Sequence, residues 1–405
     1  MNSEIKTGKE KFKKYSIVIG PSSLLIKDVN YLGDSLWNAF QNFYFYCVSN
    51  KELINHYDQP LPQELVSASY TYFEEIKSNT SGSPVDQGFM ADQYFENFTP
   101  IWNLSSRRNK SLWYVVLTMV RVWEKKSDFQ LHKGTPFYFW ATTDLLHGDY
   151  DEGFILMHKA LDEDRRKSGG IRTPDTPGHD FVSMNEKPGA YLQPLTKGMA
   201  EFIIKRLEEY HSRRSGILKY TDLRSKFLDN TDQKFENPKF FLSYTILKWM
   251  RLRAIHYERS LADDQMAPLI LTGVISDLLL VIDELLKIAF SKAYKSRKVS
   301  FKHHLLEVAK LRSWTKAKDF TGYQNQLSVN LNDEFTDNFR KIVENLLIAK
   351  VGSKQLKPLE ADLWLCYGLR NFTAHNVSSQ KVLWEKFTEV LQSILNVFFL
   401  SVETL

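Results

Sequence analysis

Leu269-Ile-Leu-Thr-Gly-Val-Ile-Ser-Asp277-Leu-Leu-Leu-Val-Ile282-Asp283-Glu284-Leu-Leu-Lys-Ile-Ala-Phe-Ser-Lys-Ala-Tyr294 is the stretch on which the fold turns. It carries no Pro and is apolar almost all round, the pattern of a helix buried on several sides of a bundle. The most apolar part, Met266 to Ile282, is interrupted by Asp277 and followed by Asp283 and Glu284, so a buried helix fits better than a membrane span. Outward from it the same three- and four-residue period recurs. It is seen in Phe240 to Ser260, in Ser300 to Leu311, in Asp333 to Ala349 and in Val382 to Leu400. Asp263-Asp264 with Pro268 marks a helix start, and Gly352 with Pro358 a helix stop.

Upstream, Leu32, Leu36, Trp37, Phe40, Phe43 and Tyr44 repeat at helical spacing, and Ser111–Glu124 and Phe137–Leu146 read as further helices. No GxGxxG, Walker-type loop or strand-helix alternation is present, which argues against a nucleotide-binding sheet domain. The predicted fold class is therefore all-α. With 405 residues two domains are expected. The polar, turn-rich run Asp229 to Pro238 suggests the boundary, giving a helical sensor or scaffold over 1–235 and a helical bundle over 240–405. Lys167 to Pro194, rich in Gly and Pro, reads as a long loop with His179-Asp180 as a loop hydrogen bond. Gly148 and Ala160 make the segment 138–167 similar to one tetratricopeptide-like helical hairpin, without a second copy.

Composition narrows the class. Hydrophobic residues make up 43% and charged residues 25%, values of an ordinary globular protein. The 27 Phe, 19 Tyr and 9 Trp point to thick cores between helices more than to a base-stacking surface. Two cysteines, Cys47 and Cys366, give neither a disulfide framework nor zinc-ligand spacing, so no metal or cofactor is expected. A Lys- and Glu-rich start without an apolar segment indicates no secretion, and the expected location is the cytoplasm with no membrane partner.

The chemistry concentrates in Trp364-Leu-Cys366-Tyr-Gly368-Leu-Arg370-Asn371-Phe-Thr-Ala-His375-Asn376. Arginine is a permanent cation shaped to clamp phosphate oxygens, and histidine exchanges a proton near neutrality. Other arginines precede a histidine at similar spacing, namely Arg172, Arg206, Arg251 and Arg297. They are followed by Thr173, Leu207, Leu252 and Lys298, whereas Arg370 is followed by the amide of Asn371 and precedes the last helix. On an ideal helix residues five apart diverge by about 140°, so Arg370 and His375 converge only if the helix breaks near Gly368 or if two chains pool their motifs.

These residues resemble the R-x4-6-H motif of HEPN domains, all-helical modules that include metal-independent RNases, over roughly the last 140 residues. The resemblance implies an endoribonuclease that cuts single-stranded RNA to a 2′,3′-cyclic phosphate, works as a homodimer, and serves as a toxin or antiphage abortive-infection effector. It gives Arg370, Asn371 and His375 the catalytic roles and places Glu284 or Asp283 behind the arginine. A protein or small-molecule trigger acting through the first domain belongs to the same expectation. The alternative is a catalytically silent HEPN-like module that binds nucleotides or a protein. The run Lys287, Lys292, Lys295, Arg297, Lys298, Lys302, Lys310, Arg312, Lys316 and Lys318, against the single acid Glu307, supplies a phosphate-attracting surface. Lys295, Arg297, Lys298 and Lys302 are its RNA-binding candidates, and His303-His304 would touch phosphate or face water.

Overall fold

The computed structural model describes residues 12–19, 22–30, 34–55, 60–79, 94–95, 98, 109–125, 130–170, 176–214, 216–258, 266–291, 299–314, 335–351, 354–375 and 381–405. The chain is all-α in class. Two small antiparallel pairs accompany the helices: β1 (Phe12–Ile19) with β2 (Ser22–Asn30), and β3 (Lys350–Val351) with β4 (Lys354–Gln355). The β1–β2 hairpin was not expected from helical periodicity; Ile17 lies opposite Leu24 across it, and Tyr15 opposite Ile26. No helix among the described residues is long and apolar enough to cross a membrane.

Two compact units divide the chain, Met1–Gly178 and His179–Leu405. The first contains α1 (Asp34–Ser49), α2 (Gln63–Asn79), α3 (Asn109–Glu124), α4 (Gly134–His147) and α5 (Tyr150–Lys167). Its core is aromatic, as the composition suggested. Phe40 meets Phe98 edge-on at 5.1 Å, Tyr72 lies 4.9 Å from Tyr94, and Trp113 stacks on Phe139 at 6.3 Å. Offset and edge-on contacts between fully buried rings add to the apolar area they remove from water. The α4–α5 hairpin forms as its sequence suggested, yet its two glycines divide the work. Gly148 turns the chain at φ +83°, a left-handed conformation that favours glycine. Gly153 makes the close approach, because a Cβ there would fall 2.8 Å from Leu145 Cγ.

The second unit contains α6 (Pro177–Val182, whose first two residues belong to the first unit), α7 (Gln193–Arg214), α8 (Tyr220–Leu223) with a π-turn over Arg224–Leu228, α9 (Glu236–Glu258), α10 (Met266–Phe290), α11 (Phe301–Leu311) and α12 (Phe335–Leu347). It ends in α13 (Pro358–His375), α14 (Lys381–Glu385) and α15 (Phe387–Thr404). The division lies well upstream of the expected 235–240 boundary. Residues 229–238 are not a free linker: Asp232 caps a 3-10 turn by accepting from the Lys234 N–H at 3.1 Å, and buried Lys239 donates to the carbonyls of Leu228 and Asn230 at 3.3 and 2.7 Å. Within 167–194, the described part from residue 176 onward is a short helix and turns rather than an open loop. Phe181, Val182 and Met184 are buried there, and Asp180 accepts from Asn185 at 3.0 Å and pairs with Lys187 at 2.8 Å.

Every residue of α15 from Val390 to Val402 is buried, so the central helix of this unit is the terminal one. As expected, α10 is buried on several sides, and it keeps one exposed edge through Leu269, Ile270, Leu280 and Glu284. The physical reason is that α10 is covered by α9, α11, α13 and α15 on its other sides while hydrophobicity alone does not say how many sides are covered.

Candidate functional site

The motif lies on α13, which packs between α15, α10, α12 and α11. Pro358 opens the helix, a position where its missing N–H costs nothing, and Leu359, Leu363, Trp364, Leu365, Cys366 and Leu369 bury its body. Arg370 and Asn371 emerge half-buried near its C-terminal end. The backbone stays α-helical through Gly368 to His375, so of the two routes to convergence, a break near Gly368 or pooling across two chains, the break does not occur. The side chain of His375 lies outside the described residues. On this uninterrupted helix positions 370 and 375 lie about 140° apart around the axis and about 7.5 Å apart along it, on different faces.

Beneath the motif runs a buried polar chain. Asp362, two turns before Arg370, accepts from Asn396 Nδ2 at 2.8 Å; Asn396 Oδ1 accepts from Gln392 Nε2 at 2.8 Å; and Gln392 Oε1 accepts from Arg206 Nη1 at 3.0 Å, while its amide also donates to the Arg206 carbonyl at 3.1 Å. All four side chains are buried, so the cation and the carboxylate at its ends are linked through two amides instead of through water. Cys366, one turn before Arg370, is fully buried. Burial pushes its thiol well above the ordinary range and the charge of Asp362 adds to that, which removes a thiolate nucleophile from consideration.

Asp283 and Glu284 are engaged on and beside α10. Asp283 accepts from His304 Nδ1 at 2.8 Å and pairs with Lys287 at 3.2 Å, and Glu284 pairs with Lys287 at 2.6 Å. Burial by itself would raise the Asp283 carboxyl, but the hydrogen bonds and charges of His304 and Lys287 outweigh it and hold the carboxyl below its usual range. His304 is 1% exposed, so it neither touches phosphate nor faces water; it clamps α11 to α10. His303 is exposed and its ring closes the N-terminal turn of α11, with Nδ1 2.8 Å from Ser300 Oγ. Lys302 sits half-buried in that same turn, while Lys295, Arg297 and Lys298 lie outside the described residues.

Of the competing arginine-histidine spacings, Arg206 and His211 do structural work. Arg206 belongs to the buried chain, and His211 Nε2 bonds the Leu218 carbonyl. Periodicity missed the buried chain, although its signal was present. Gln392 and Asn396 fall four residues apart in an otherwise apolar helix, a spacing that places two amides on one face.

No protein-family model, curated protein or solved structure matches this chain.

Proposed function

We propose that the chain is a metal-independent endoribonuclease of the HEPN type, acting on single-stranded RNA in the cytoplasm as a toxin or antiphage effector, with a composite site formed by two copies. The observation that carries this reading is the emergence of half-buried Arg370 and Asn371 near the end of one unbroken helix whose next turn ends in His375. That geometry favours pooling of motifs over convergence within one chain.

In this reading the His375 imidazole of one copy takes the proton of a ribose 2′-hydroxyl as its oxygen attacks the neighbouring phosphorus. The imidazole of the second copy protonates the leaving 5′-oxygen, which yields a 2′,3′-cyclic phosphate and a 5′-hydroxyl. Arg370 offsets the charge that develops on the phosphorane, and Asn371 orients the phosphate or the ring. Purified protein is expected to cleave single-stranded RNA in EDTA. Arg370→Ala and His375→Ala are each expected to abolish cleavage, with His211→Ala retaining it in the folded fraction. Activity that disappears in EDTA and returns with Mg²⁺ would refute the metal-free chemistry, and a folded protein with no cleavage under either condition would leave a nucleotide- or protein-binding module.

A further inference from the structure

The outer face of α9 carries a row of aromatic and cationic side chains that the motif does not use. Phe241 is 47% exposed, Tyr244 and Lys248 are half-buried, and Arg251 is exposed. At about 100° per residue the four fall within an arc of about 80°, and they extend about 15 Å along the axis. Lys248 Nζ lies 4.7 Å from the centroid of the Tyr244 ring and donates to its hydroxyl at 2.7 Å, so the cation is held along the row. Between Glu236 and Glu258, at its two ends, the helix has no acid and four cations, Lys239, Lys248, Arg251 and Arg253. Lys239 is buried and spent on backbone carbonyls, and Glu236 is itself buried.

A single exposed phenylalanine on a protein surface needs no explanation. One that stands in line with a second ring and two cations matches the chemistry of a polyanion whose units carry flat apolar faces. We infer that this face of α9 is a docking track for single-stranded nucleic acid, with Phe241 stacking on a base and Lys248 and Arg251 meeting phosphates. An acidic peptide would use the cations but would leave the exposed ring without a flat partner. The inference deepens the RNA-cleavage reading on which it rests, by naming a second surface that holds the strand.

The test measures binding of a fluorescent single-stranded oligodeoxynucleotide to the full chain by anisotropy at several salt concentrations. Lacking 2′-hydroxyls, this strand reports docking whether or not the chain cleaves RNA, so lost cleavage with retained docking counts against the cleavage reading alone. Wild type is expected to bind with an affinity that falls as salt rises. Phe241→Ala and Phe241→Leu are each expected to weaken binding about five-fold or more without changing the salt slope. Lys248→Ala and Arg251→Ala are each expected to weaken binding and to reduce the slope by about 0.7. Lys197→Ala, on α7 beside Glu201, is the control expected to change neither. Binding by Phe241→Leu equal to wild type would overturn the stacking role. Folded wild type that binds no strand, or that binds polyglutamate instead, would overturn the proposal as a whole.

Discussion

Asn396 on the terminal helix donates a 2.8 Å hydrogen bond to Asp362 on the motif helix, and both side chains are 1% exposed. A buried carboxylate without its donors loses the compensation for its desolvation, so this bond fixes how α13 lies on α15. Asn396→Ala removes the donor to Asp362 and the acceptor of Gln392 together. The expected loss of stability is about 2–3 kcal/mol, read by urea or thermal denaturation. A loss below about 0.5 kcal/mol would show that the buried chain does not pin the helix.

A second set of charges, gathered around buried Lys133, holds the first unit. Lys133 donates to Glu124 at 2.8 Å and to the Leu131 carbonyl at 3.0 Å, while its own N–H is accepted by Glu163 at 2.9 Å. Arg166 bridges Glu163 at 2.8 Å and the Leu131 carbonyl at 3.2 Å, and His132 pairs with Asp164 at 3.1 Å. The entry to α4 is thereby fastened to the end of α5. Lys133→Met leaves half-buried Glu124 with its cation gone, and the expected cost is about 2 kcal/mol. Adding Glu124→Gln to that variant should recover part of it, which a double-mutant cycle measures.

The Asp283–His304 pair gives the second unit an acid limb. Because the folded carboxyl of Asp283 is held below its unfolded value of about 3.9, its contribution is fully present above that value and is lost as pH falls through the folded pKa. Wild type should therefore lose stability below about pH 4 more steeply than His304→Gln, in which one of the groups that hold the carboxyl down is replaced by a neutral amide. Chemical denaturation between pH 3 and pH 6 checks this; parallel limbs would mean that Lys287 alone sets the depression.

How much of this was legible depended on which signal the residues carried. Leu36, Trp37, Phe40, Phe43 and Tyr44 announce α1 because their three- and four-residue spacing is a local property, and all five are buried in the structure. The β1–β2 hairpin does not follow that period; its signal is the β-branched run Ile17-Val18-Ile19 and the apolar run Leu24-Leu25-Ile26 on either side of Gly20-Pro21. The unit boundary escaped because polarity marks exposure and not separation: residues 229–238 are polar yet hold Phe235 in the core. Arg370, Asn371 and His375 were visible as residue types, but the unbroken course of α13 through Gly368 is a tertiary fact. A glycine permits a break and does not compel one, since the packing of Leu365, Cys366 and Leu369 on either side outweighs a propensity cost of about 1 kcal/mol.

That unbroken course motivates the last prediction. If Arg370 and His375 diverge on one helix, a site that needs an acid, a base and a charge stabiliser has to draw on a second copy across a two-fold axis. Excess His375→Ala protein mixed with wild type, after subunit exchange, should then depress cleavage beyond dilution, because each mixed dimer holds one imidazole where two are needed. Two independent sites per dimer would lose only the activity that dilution removes. Light scattering at the assay concentration completes the test: a fully active monomer would exclude the composite site, and Arg370 with His375 would need a different second proton carrier from within the same chain.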